Sequence, residues 1–144
     1  MAINYVVDSD LRLNSTVSKA VLGAKGDKDI QQVVFEVNRF YNGFDFNNRF
    51  NFRVHVMLPN EELATVDIWL DDIQLLDGVF YITWTISSAM TKEPGPITFA
   101  LEIYSEITEQ NFFTTKTTGY IVDSILLPDD AEIQVIEEPL VPMQ

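Results

Sequence analysis

Between Asn48 and Met57 apolar and polar side chains alternate without a break, with Phe50, Phe52, Val54 and Val56 set between Arg49, Asn51, Arg53 and His55. A pleated strand points successive side chains to opposite faces, so this segment has one face for a core and one for water or a partner. The pattern returns twice. Ala64, Val66, Ile68 and Leu70 alternate with Thr65, Asp67 and Trp69, and Phe80, Ile82, Trp84 and Ile86 alternate with Tyr81, Thr83 and Thr85. Val33, Phe35 and Val37 form a further set upstream. Ile97, Phe99, Leu101 and Ile103 form one downstream, followed by a weaker segment at Asn111 to Lys116 and a β-branched run from Tyr120 to Leu127. Turn residues separate these runs: Asn42-Gly43, Pro59-Asn60, Asp77-Gly78, Pro94-Gly95-Pro96 and Gly119. Helical periodicity is absent over any window of ~11 residues, although Ser87 to Lys92 has room for a short helical turn. The expectation is an all-β chain, an antiparallel β-sandwich of jelly-roll or Ig-like type with extended N- and C-terminal arms.

The punctuation divides the chain in three. Residues 1–28 read as an N-terminal arm or edge strand, because Gly23 and Gly26 interrupt a partial alternation. Residues 29–128 make the sandwich domain. Residues 129–144 read as an acidic C-terminal arm or linker, since no Lys or Arg follows Lys116. Ile3, Val6 and Val7 at one end, and Ile133, Val135 and Ile136 at the other, are too few to form a core alone. They are expected to lie along the sheet edge of a neighbouring subunit, with frayed termini as the alternative.

Charge narrows the partners. The 22 acidic against 9 basic residues give a formal net charge of -13, which repels a phosphate backbone, so no nucleic acid is expected as a ligand. No apolar run approaches the ~18 residues of a membrane span, and the first residues lack the pattern of a secretory signal. There is no cysteine, which removes disulfides and thiolate chemistry and suits an intracellular protein or a particle assembled inside a cell.

Chemistry is sparse. The one histidine, His55, lies on the strand face opposite the apolar set and reads as an ordinary surface residue. No hydrolase elbow, phosphate loop or zinc-helix motif occurs. Asp71, Asp72 and Asp77 cluster near one turn in a spacing that fits no EF-hand calcium loop, and read as solvated turn residues, with a structural calcium site as the alternative. The expectation is a non-enzymatic chain with no catalytic residue, cofactor or metal. Trp69, Tyr81 and Tyr104 fall opposite the apolar registers. They are the candidates for contact with a partner or a glycan, with plain outer-face packing as the alternative.

The order of segments carries a resemblance. Gly26-Asp27-Lys28-Asp29-Ile30-Gln31-Gln32-Val33-Val34-Phe35-Glu36-Val37 leads through a polar turn to Asp77-Gly78-Val79-Phe80-Tyr81-Ile82. Ile97 to Ile103, Asn111-Phe112-Phe113-Thr114-Thr115 and Ile121 to Leu126 follow. Over roughly residues 25–127 this resembles the N-terminal β-sandwich domain of phage baseplate upper proteins and related minor structural proteins of tailed phages of Gram-positive bacteria. The resemblance implies a virion protein assembled in the host cytoplasm. Its partners would be copies of itself and other virion proteins in a tail or baseplate, with no catalytic residue to carry over. The alternatives are a carbohydrate-binding module that recognises a host-surface glycan, and a capsid decoration protein.

Overall fold

A computed structural model describes residues 2–17 and 19–123. The alternating segments are strands, and their strictest alternation marks the middle of each sheet. In β4 (Gln32–Asn38), β7 (Asn51–Met57) and β10 (Val79–Thr85), every second residue is buried. These strands, with β11 (Gly95–Ser105), supply most of the core.

Two sheets result. One runs in the order β2 (Leu13–Asn14), β1 (Ala2–Val7), β4, β10, β9 (Ile73–Leu76). The other runs β3 (Ala20–Ala24), β13 (Thr117–Val122), β11, β7, β8 (Leu63–Ile68), with β12 (Gln110–Phe113) paired beside β13 on the same edge of β11. Their inner faces meet ring to ring: Trp84 against Phe99 at 5.2 Å, Tyr5 against Phe99 at 5.4 Å and Phe52 against Phe80 at 5.4 Å between centroids. The all-β sandwich is therefore the fold, with its core between the two layers.

Turn chemistry sets the hairpins. Asn42-Gly43 joins the short strands β5 (Phe40–Tyr41) and β6 (Phe44–Asp45), and Asp77-Gly78 joins β9 to β10. Both residues of each pair have positive φ, which gives the backbone twist that two-residue hairpin loops require. The β5–β6 ribbon is tied by Arg39, whose guanidinium donates to both oxygens of Asp45 at 2.8 and 2.9 Å. Tyr41, Phe44, Phe46, Phe50 and Phe112 cluster behind it and close that end of the sandwich.

Three expectations change. First, residues 2–7 are not an arm: β1 lies inside its sheet, parallel to β4, with Tyr5 and Val7 buried. The face it shows the core is Ile3, Tyr5 and Val7, while Val6 points outward. Residues 20–24 are an edge strand, parallel to β13, with Ala20 and Leu22 in the core. These two ladders are parallel where all others between strands are antiparallel. Second, the alternation through Leu70 outlasts its strand. The chain leaves β8 after Ile68 and crosses to the other sheet through a 3-10 turn at Leu70–Asp72, leaving Leu70 83% exposed. Third, Ser87 to Lys92 makes a hydrogen-bonded turn, in which Met90 N–H donates to Ser87 O at 2.9 Å, and no helix. The C-terminal arm at 129–144 and the end of the Tyr120–Leu127 run lie outside the described residues.

Candidate interaction site

The outer face of the six-stranded sheet carries the densest polar arrangement among the described residues. It is built by the polar halves of three alternating strands. On β7 stand Arg53 and His55, on β8 Thr65 and Asp67, and on β11 Glu102 and Tyr104; the ladders place Glu102 beside Arg53 and His55 beside Thr65. Glu102 is only 6% exposed although it faces outward, because its neighbours cover it. Its carboxylate meets His55 Nε2 at 2.7 Å and accepts from Asn111 Nδ2 at 3.1 Å, with Arg53 Nε at 3.8 Å. Arg53 also reaches Asp67 at 3.3 Å and lies 4.0 Å over the Tyr104 ring. Burial alone would raise the Glu102 pKa. The hydrogen bonds from His55 and Asn111, with the charges of His55 and Arg53, outweigh it and hold the carboxyl below its usual range.

Thr65 Oγ1 stands 3.5 Å from His55 Nδ1, which completes a hydroxyl–imidazole–carboxylate row across three strands. That hydroxyl contact is at the outer limit of a hydrogen bond. As built, the row ties β8, β7 and β11 together across the sheet surface.

Beside it runs an open groove of about 440 Å³. Met57, Leu63, Ala100 and Phe113 line it, together with His55 and Lys116. Phe113 packs its ring 5.5 Å from that of His55. Where β12 gives way to β13, Thr114 keeps the ladder to β11 continuous: Leu101 N–H donates to its Oγ1, and its own N–H donates to Leu101 O, both at 2.9 Å. The groove offers an apolar bed with one cation, Lys116, in its lining, chemically suited to an apolar group.

The structure separates the three aromatic candidates. Tyr104 is under Arg53 on this outer face. Tyr81 stands on the outer face of the other sheet, opposite Glu36 and Gln74 in the ladders. Trp69 is 71% exposed at the crossover between the sheets. No ring contact joins any two of them among the described residues. Asp71 and Asp72 are parted from Asp77 by the length of β9, and no cluster of three acidic or imidazole groups placed to hold a metal occurs among the described residues.

Sequence reasoning placed His55 and Arg53 on the correct face but missed Glu102. The signal was a carboxylate at the centre of an otherwise apolar strand, in the outward register.

The fold is a two-layer β-sandwich. No family model matches the chain, and no curated protein matches it. Among solved structures it is similar to the N-terminal domain of phage TP901-1 ORF48, with a TM-score of 0.50 and 13% identity over 85% of this chain and 97% of that one. The likeness is one of fold.

Proposed function

We propose that this chain is a structural module of a phage particle, working in tail or baseplate assembly by protein contact rather than catalysis. The observation that carries the reading is the fold shared with a phage protein domain over 85% of this chain and 97% of that one. The resemblance read from the sequence points the same way. The surface supports it: an apolar groove on an outer sheet face and exposed large side chains at a sheet edge are what an assembly module presents to neighbours. Its place is the virion, and its partners are other virion proteins. Mass spectrometry of purified particles, with immunogold labelling, tests this. The chain should be recovered in particles with label at the tail end. Label over heads would make it a decoration protein, and absence from particles would end the structural reading.

A further inference from the structure

The two side walls of the sandwich differ in a way that the outer-face groove does not explain. On one wall, β8 and β9 are the open edges of their sheets among the described residues, joined by the turn at Leu70–Asp72. Leu63 (76%), Trp69 and Leu70 are exposed there. From Val54 to Thr91 the chain has no Lys or Arg, while Asp71, Asp72 and Asp77 stand exposed around the apolar residues. This wall is apolar at its centre with Asp71, Asp72 and Asp77 around it; its cations are Arg53, which reaches Asp67 of β8 from the outer sheet face, and Lys116, which lines the groove with Leu63.

The opposite wall ends in β2 and β3. The edge of β3 is likewise open among the described residues, and two exposed lysines bracket it, Lys19 before and Lys25 after. Val17 and Val21 are exposed beside them. Of the carboxylates beside it, Asp27 is turned back to accept the Ala24 N–H at 2.8 Å, and Asp123 follows Val122, the ladder partner of Ala24.

Opposite walls of one molecule thus carry open strand edges, exposed apolar side chains and opposite local charge. A surface that met its own copy wall to like wall would set aspartate against aspartate, in a chain already at -13. Contact between unlike walls sets Asp71 and Asp72 against lysines and lets Trp69 and Leu70 cover Val17 and Val21. We propose that copies of this chain associate head to tail, the β8–β9 wall of one seating on the β3 wall of the next. Such a heterologous contact propagates, and it makes a ring if its rotation closes. The inference rests on the structural reading above and specifies one partner as a second copy.

Sedimentation velocity over a wide concentration range is the test, with charge reversal on each wall. The full chain should form species larger than a dimer. D71K/D72K alone and K19E/K25E alone should each associate at least about tenfold more weakly, with unchanged thermal midpoints. An equimolar mixture of the two should recover assembly, because each then meets a wall of opposite sign. Trp69→Ala, which alters no charge, should also weaken association. A wild-type chain that stays monomeric overturns the proposal. So does either reversal assembling like wild type, a closed dimer indifferent to K19E/K25E, or a mixture that stays apart. A monomer still recovered in purified particles would remove the self-contact and leave the structural role standing. A chain that assembles in solution but is missing from particles would do the reverse.

Discussion

Glu102 Oε1 and His55 Nε2 lie 2.7 Å apart across the ladder between β11 and β7, although 47 residues separate them in sequence. The pair, with Asn111, satisfies a carboxylate that the surrounding side chains have taken out of water. It converts the polar face of a sheet into a fixed surface.

The Glu102 carboxyl is held below its usual range, so it stabilises the fold fully above about pH 4.5, its ordinary value. That contribution is lost as pH falls through the lower, folded-state value. Glu102→Gln should cost about 1–3 kcal/mol at neutral pH, the scale of a hydrogen bond to a charged group. The gap between variant and wild type should shrink toward pH 3 in denaturant melts. A gap independent of pH would show that the charge contributes nothing.

Asp8 gathers the turn that follows β1. It accepts from Arg12 N–H and Asn14 Nδ2, both at 2.9 Å, and from Asp10 N–H, also at 2.9 Å. The hydrogen bond from the Arg12 backbone N–H first, then that from the Asn14 side-chain amide, pull its carboxyl down to about 2. Carboxyl-detected NMR titration should place the midpoint there, and Asn14→Ala should raise it. A wild-type midpoint near 3.8 would mean that the turn is open in solution.

Phe52 and Trp84 are buried in facing sheets, so Phe52→Ala or Trp84→Ala should cost about 3–5 kcal/mol by removing inter-sheet ring contacts. Thermal melts decide it. Near-wild-type midpoints would contradict the strand registers.

Deleting residues 1–7 should unfold or severely destabilise the chain, since it removes Tyr5 and Val7 from the core and strips β4 of one neighbour. A dispensable arm would leave the circular dichroism melt unchanged.

Gly119→Val should be badly tolerated. A Cβ there would stand 2.6 Å from the Leu22 side chain, where β3 packs against β13. Partial recovery of the melting midpoint on adding Leu22→Ala would identify that clash as the cause.

The strands of the sheet centres were legible because an antiparallel strand with one dry face writes its register as strict alternation, as in β7 and β10. The hairpins were legible through Asp77-Gly78 and Asn42-Gly43. The entry of β1 into the core was not, because a parallel partner is reached without a tight turn; Ile3 pairs with Val33, and nothing local announces it. Leu70 misled for the opposite reason. Its local pattern is that of a strand, but the chain is already leaving the sheet there. The outward face was read correctly for Arg53, His55, Tyr81 and Tyr104. Their associations were not, since Glu102, His55 and Asn111 meet only through pairings that no short stretch of sequence encodes.

The parallel pairing of β3 with β13 sets an order of events for a chain emerging from a ribosome. Ala20 pairs with Gly119, so β3 has no ladder to join until nearly all the described residues have been made. The antiparallel hairpin of β9 and β10 can close at once across its two-residue turn. Loop-closure entropy then makes docking of β3 a late, slow step of folding, and until it happens the edge of β13 is open to the β3 of another nascent copy. Crowded synthesis on a polysome is therefore where this chain is most exposed to strand exchange, at the edge of β13 that its own β3 covers once folded.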